Sequence, residues 1–280
     1  MAMIIDGKNI SQQIKEELKE KVTAQKARGK EGALAVIQVG ADPASSVYVR
    51  NKKNACAFVG IESLAYELPE ETPEEELLSL IAELNSNEKV KGILVQLPLP
   101  GHINEDKVIQ AISPSKDVDG FHPQSVGAMV IGEKGFLPCT PAGIIQLLKR
   151  SGIEIAGKNC VVVGRSNIVG KPMALLMLRE HATVTITHSR TQNLAGICRQ
   201  ADILIVAMGK PRFIGAEYVK EGAVVIDVGI HRNAENKLCG DVKFEEVEPI
   251  ASAITPVPGG VGPMTIAMLM DNCVQSIEEG

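Results

Sequence analysis

The sequence predicts an α/β protein in two domains, and three observations carry that expectation. Strand-length apolar runs alternate with segments of helical apolar spacing along nearly all 280 residues. The runs are continuous rather than alternating, as in Ile203–Met208, which is how strands buried on both faces of a parallel sheet read. The rhythm breaks once, over Asp117–Leu137, where Pro, Gly and short apolar runs mark a junction. Residues 1–119 form the first expected domain, rejoined by the C-terminal helix over 264–280. Residues 120–263 form the second.

Each element follows from local chemistry. Ile10, Ile14, Leu18 and Val22 give the first helix one apolar face, and Gly29 and Gly32 stop it. Ala33–Val39 reads as a buried strand, 45–59 as a helix and 61–68 as a strand. Pro73 opens a helix in its first turn, with Glu74, Glu75 and Glu76 suited to the positive end of the dipole. Ile93–Gln96 is a strand closed by Leu97-Pro98-Leu99-Pro100, and a short helix follows over 104–112. Thr140 and Pro141 predict the next helix start, Thr as N-cap and Pro as first helical residue. Then come strand 160–163, helix 170–180, strand 183–187, a helix near 192–200, and strands 203–207, 223–228 and 252–255. A final helix spans 264–278.

Composition excludes several function classes. With 45% hydrophobic and 22% charged residues, the chain is not of the disordered type. Three Tyr, five Phe and no Trp leave little for stacking bases, and a net charge of −5 gives no global field for polyanions. No signal-peptide pattern opens the sequence, and no apolar run reaches the ~18 residues a membrane span needs. Six scattered Cys and five His lack metal-ligand spacing, so a cytoplasmic chain without disulfides or metal is expected.

The strongest local signal runs from Val161 to Pro172: a strand, then Gly164-Arg165-Ser166-Asn167-Ile168-Val169-Gly170, then a helix. Helix N-termini offer free N–H groups to phosphate. A dinucleotide fingerprint wants glycine at the first, third and sixth positions, here Gly164, Ser166 and Val169, so one of three matches. The next strand ends in Thr187-His188-Ser189-Arg190-Thr191, with no carboxylate to repel a 2′-phosphate. Ser189, Arg165 and Arg190 could bind one. These features favour NADP over NAD in a Rossmann-like domain. An ordinary polar turn is the alternative.

Tyr48 and Lys52 lie four apart on one helix face, which suits proton transfer or a Tyr packed on a Lys stem. Gln96 ends a strand, where open α/β sheets place ligands, or is a solvated strand-end amide. Asp117 and Asp119 could bind ligand N–H groups or cap a turn. Pro256-Val257-Pro258-Gly259-Gly260-Val261-Gly262-Pro263 specifies a rigid backbone that a flat ligand can approach.

Together these segments resemble the bifunctional methylenetetrahydrofolate dehydrogenase/methenyltetrahydrofolate cyclohydrolase family. The blocks are Tyr48-x-x-x-Lys52, Asn85-Ser86-Asn87 leading to Gly92–Leu99, Lys116–His122, Pro138–Pro141, Gly164–Pro172 and Pro258–Thr265, in that order. The resemblance implies a folate-binding catalytic domain and a Rossmann-like NADP-binding domain. It also implies tetrahydrofolate substrates held in an interdomain cleft, and a homodimer. It makes Lys52 the proton shuttle, with Tyr48 orienting folate, Ser45 lining the site, Gln96 tuning Lys52 and Asp119 binding the pterin. Gly259, Gly260 and Pro263 would shape the folate wall. Gly164, Arg165, Ser166, Ser189 and Ile230 would hold NADP, with Thr140 near the nicotinamide. A dehydrogenase without cyclohydrolase activity and a non-catalytic NADP-binding regulator are the alternatives.

Overall fold

The structure is a computed structural model that describes residues 1–41, 43–233 and 235–279, with the side chains of 43–47 outside the description. In chain order the elements are β1 (Met3–Ile4), α1 (Gly7–Lys26), β2 (Ala33–Val39), α2 (Pro43–Val59), β3 (Glu62–Leu68), α3 (Glu74–Ser86), β4 (Val90–Val95), α4 (Glu105–Ala111) and α5 (Pro123–Ile131). Next come α6 (Cys139–Arg150), β5 (Asn159–Val163), α7 (Gly170–Arg179), β6 (Thr183–Thr187), α8 (Leu194–Cys198), β7 (Ile203–Val206) and β8 (Val224–Asp227). The chain finishes with β9 (His231–Arg232), β10 (Leu238–Cys239), α9 (Phe244–Val247), β11 (Ala253–Ile254) and α10 (Val261–Glu279).

Two compact units result. One comprises 12–137 and 266–280, the other 1–11 and 138–265. The division therefore differs from the sequence expectation at both ends. Residues 1–11 belong with the second unit because β1 pairs in parallel with β11, Met3 opposite Ala253. Residues 120–137 belong with the first because α5 is tied there: its Ser125 Oγ donates to Asp117.

The first unit is built on a parallel three-stranded sheet, order β3-β2-β4. All seven residues of β2 are buried, which explains its unbroken apolar sequence. Leu77, Ile81 and Leu84 of α3 pack on Ile37, Ile93 and Val95, each fully buried aliphatic contributing about 1.5–3 kcal/mol. The C-terminus of α3 is finished by a distant cation. Lys116 Nζ donates to the carbonyls of Leu84, Asn85 and Asn87 at 2.9, 2.7 and 2.8 Å. Backbone bonding at this end is sparse, with Leu84 O taking a 3.3 Å bond from Asn87 N and Asn87 O one from Val90 N, and the carbonyls carry the negative end of the dipole.

The second unit is built on a parallel six-stranded sheet, order β1-β11-β8-β7-β5-β6, with a small antiparallel β9–β10 hairpin beside it. The chain leaves β5 for β6 on one side and returns to β7 on the other. Open α/β sheets bind ligands at the carboxyl ends of strands at such a reversal. The smaller sheet repeats the arrangement, with β2 flanked by β3 and β4.

Two helix starts are corrected. The N-cap of α6 is Pro138, and Ala142 N donates to Pro138 O. Thr140 lies inside the first turn, where its Oγ1 pairs with Thr265 Oγ1 at 2.8 Å instead of capping. Pro141 sits in that turn at no cost because first-turn N–H groups have no helical partner. For the same reason α10 starts at Val261, three residues before the expected start, and takes in Pro263.

Candidate functional site

In the first unit, α2 follows β2 and Gln96 follows β4, so both reach the carboxyl-end reversal of that sheet. Gln96 N donates to Ile37 O, fixing the strand end. Its side-chain amide is oriented as well. Gln96 Nε2 donates to Leu97 O at 2.6 Å, which turns Oε1 toward Lys52. Lys52 Nζ donates to that oxygen at 2.9 Å, and the lysine is only 8% exposed. A buried amine needs such an acceptor for its N–H, and a hydrogen bond of this kind contributes about 0.5–1.5 kcal/mol. Tyr48 is half-buried one turn earlier on α2, and burial pushes its phenol above the ordinary range. Ser45, on α2 as well, has its side chain outside the described residues.

Asp119 sits half-buried on a loop that its neighbours lock. Gly120 N donates to Asp117 O, closing a turn around it. The Asp117 carboxylate accepts from His122 N at 2.8 Å and Ser125 Oγ at 3.0 Å. Burial outweighs those bonds and raises Asp117 to about 6. From α10, Asn272 Nδ2 donates to Val118 O and Leu137 O. Asp117 was legible in the sequence only as a ligand or a turn cap, and Asn272 gave no signal, because a helical Asn identifies no partner at a distance.

In the second unit, the loop after β5 is a cradle that side chains would fill. Gly164 has φ +130°, and a Cβ there would collide with the Ala207 carbonyl at the end of β7. A Cβ on Gly170 would lie 2.7 Å from Arg165 N and strike the Gly164 carbonyl. Gly170 therefore does the helix–strand packing that a fingerprint places at its last glycine, one residue later than the spacing test at Val169. Ser166 Oγ accepts from Val169 N and Gly170 N at 3.2 Å each, shaping the turn into α7. Arg165, Ser166, Ser189 and Arg190 are exposed. Gly164 N donates to Thr187 O, which brings the Ser189–Arg190 turn beside the cradle.

The remaining candidates lie in this second unit too. Ile230 is 44% exposed, and a Cβ on Gly262 would come 3.3 Å from its Cδ1. Gly260 has no room for a side chain against Thr255 Cβ and Pro256 O, and the Gly259 carbonyl accepts from Lys8 N. Pro263 is half-buried in the first turn of α10. Thr140 is held by Thr265, a partner the sequence did not single out.

Residues 5–119 match the family model of the tetrahydrofolate dehydrogenase/cyclohydrolase catalytic domain, and residues 138–280 match that of its NAD(P)-binding domain. The chain belongs to the tetrahydrofolate dehydrogenase/cyclohydrolase family. Family members resemble it over their full length. A protein of Agathobacter rectalis named bifunctional protein FolD is 74% identical, covering 99% of this chain and 100% of its own. The solved FolD methylenetetrahydrofolate dehydrogenase/cyclohydrolase of Campylobacter jejuni is 52% identical with a TM-score of 0.98, covering 100% of this chain and 99% of its own. The Trypanosoma brucei FolD structure, described as complexed with NADP cofactor and inhibitor, is 39% identical with a TM-score of 0.95 and covers 99% and 98%. Among the described residues no helix is long and apolar enough to cross a membrane.

Proposed function

We propose that this family member oxidises 5,10-methylenetetrahydrofolate with NADP⁺ and hydrolyses the resulting 5,10-methenyltetrahydrofolate to 10-formyltetrahydrofolate. The Lys52–Gln96 pair carries the reading: a buried amine held by an oriented amide at a strand-end reversal. Both domain models and the bifunctional relatives support the two activities.

NADP⁺, when bound, supplies the hydride acceptor. The glycine cradle fits it, because Gly164 and Gly170 leave backbone bare where a Cβ could not stand. Gly164, Arg165, Ser166 and Ile230 are proposed to hold the dinucleotide, with Thr140 near its nicotinamide. Ser189 meets the 2′-phosphate, helped by the absence of carboxylates over Thr187–Thr191.

Loss of hydride from the methylene bridge leaves a cation spread over the two flanking folate nitrogens. Water then adds to the bridging carbon, and Lys52 takes the proton, directly or through a second water. Opening of one carbon–nitrogen bond, with a proton returned to that nitrogen and the hydroxyl proton released to solvent, gives the formyl product. Gln96 fixes the amine by its Oε1. Tyr48 and Ser45 orient the folate, Asp119 binds its pterin N–H groups, and Gly259, Gly260 and Pro263 contact its face.

The test follows cofactor reduction and the methenyl chromophore separately, with NADP⁺ and NAD⁺ in parallel. Reduction with little methenyl build-up, and hydrolysis of added methenyl substrate above the blank, is expected. Lys52→Met should abolish that hydrolysis while leaving NADP⁺ binding intact. Wild-type hydrolysis in this variant removes Lys52 from the role.

A homodimer is part of the proposal. On the edge strand β6, Thr183, Thr185 and Ile186 are exposed, and Leu178 of α7 is 59% exposed. A strand open on both faces invites a second copy, and sedimentation of Ile186→Lys against the wild type tests this. A cytoplasmic site of action suits six free thiols, five of them buried.

A further inference from the structure

Two buried carboxylates in the second unit take no part in the chemistry proposed above. Asp227 ends β8 and is 4% exposed; Asp241 follows β10 and is fully buried. Asp227 Oδ1 accepts from Gly229 N at 2.9 Å and Asp241 N at 3.0 Å, and its Oδ2 from Val242 N at 3.0 Å. Asp241 Oδ2 accepts from Met208 N at 2.8 Å and Gly209 N at 3.0 Å, and its Oδ1 lies 2.7 Å from His231 Nε2. The packing is reciprocal. A Cβ on Gly240 would fall on the Asp227 carboxylate, and one on Gly229 would lie 2.7 Å from Asp241 Cγ. Each acid occupies the space left by the glycine beside the other.

The two acids thus join three backbone segments at the carboxyl ends of β7 and β8: Met208–Gly209, Gly229–His231 and Asp241–Val242. The His231–Asp241 bond also closes the base of the β9–β10 hairpin, next to the Cys239–His231 register pair. Ile230 stands between Gly229, held by Asp227, and His231, held by Asp241. Buried amides left without these acceptors would each lose about 1–3 kcal/mol, so the arrangement resists gradual loosening.

We propose that Asp227, Asp241 and His231 are positioning residues for the cofactor half of the reaction, setting the Ile230 segment and the Met208–Gly209 backbone against the dinucleotide. This rests on the reading of Ile230 as a cofactor contact. His231 is half-buried, so it can be changed without emptying the core. His231→Leu removes the donor to Asp241, and His231→Gln can restore one. In His231→Leu, the dissociation constant and KM for NADP⁺ should rise about tenfold, the loss of one good bond, while hydrolysis of added methenyl substrate without NADP⁺ stays at the wild-type rate. Amide exchange at Met208 and Gly209 should accelerate in the cofactor-free variant. His231→Gln should recover most of both changes. Unaltered NADP⁺ affinity in folded His231→Leu, or equal loss in the Gln and Leu variants, overturns the proposal. Wild-type protein that fails to bind NADP⁺ overturns the function reading, and the proposal with it.

Discussion

Alanine at Gly164 should damage the dinucleotide loop far more than alanine at a left-handed glycine with free space. At Gly164 the new Cβ would lie 2.9 Å from the Ala207 carbonyl carbon. Carbon pairs settle at about 3.5–4.0 Å, so the loop or the end of β7 must retreat by about half an ångström or more. Overpacking of this kind costs about 1–3 kcal/mol. The φ of +130° adds backbone strain of about 1–3 kcal/mol for a side-chain-bearing residue. Together these give about 2–6 kcal/mol. Gly170→Ala carries the clash without the strain, about 1–3 kcal/mol. Gly152 has φ +70° and nothing within 4 Å of a new Cβ, so its alanine variant costs about 1 kcal/mol. At about 2–4 °C per kcal/mol for domains of this size, Gly164→Ala should lower the Tm by about 5–20 °C. Scanning calorimetry gives the stability order, and isothermal titration calorimetry gives NADP⁺ affinity. Affinity should fall for the variants at 164 and 170 and hold at 152. Equal Tm shifts in all three proteins, or wild-type affinity in Gly164→Ala, would refute the reasoning.

Three further outcomes are expected. Lys116→Met strips three carbonyls at the end of α3 of their shared donor. It should cost about 2–4 kcal/mol by urea denaturation, and a loss within error would show that water replaces the ammonium there. Ser189→Asp with Arg190→Glu should weaken NADP⁺ more than NAD⁺; equal losses would show that these residues do not distinguish the cofactors. Burial raises Asp117 and Asp227 to about 6, above the usual carboxylate range, so between pH 7 and 5 the folded chain takes up protons that the unfolded chain does not. Their contribution to stability therefore grows as pH falls through that window, by about 1 kcal/mol each. Relative to wild type, Asp117→Asn should gain less stability on acidification from pH 7 to 5; parallel stability–pH curves for the two proteins would exclude the assignment.

What the sequence made legible follows from what each signal depends on. Ala33–Val39 and Ile203–Val206 read correctly because strands covered on both faces must be apolar throughout. The helix face of Ile10, Ile14, Leu18 and Val22 is buried as the spacing required. Met3–Ile4 escaped because two residues have no period, and the strand exists only through its pairing with β11. Helix α5 was read as junction because its run is nine residues long and interrupted by Gly127. Thr140 misled as a cap because its hydroxyl found Thr265 across the chain. At the candidate site, the Tyr48–Lys52 face was visible locally. The orientation of Gln96 toward Lys52 depends on two sheet crossovers and a carbonyl contact that no local pattern encodes.

The pairing of β1 with β11 has a consequence for synthesis. Met3 and Ala253 are about 250 residues apart, so the outer strand of the large sheet leaves the ribosome long before the neighbour it pairs with. Strands β5, β6, β7 and β8 can assemble as they emerge, but β11 must be made before β1 has anything to join. Meanwhile the exposed edge of β8 is open to strands of other nascent chains. Refolding of full-length protein should therefore close this edge late, and overcrowded translation would penalise this sheet before the smaller one, whose strands lie within residues 33–95.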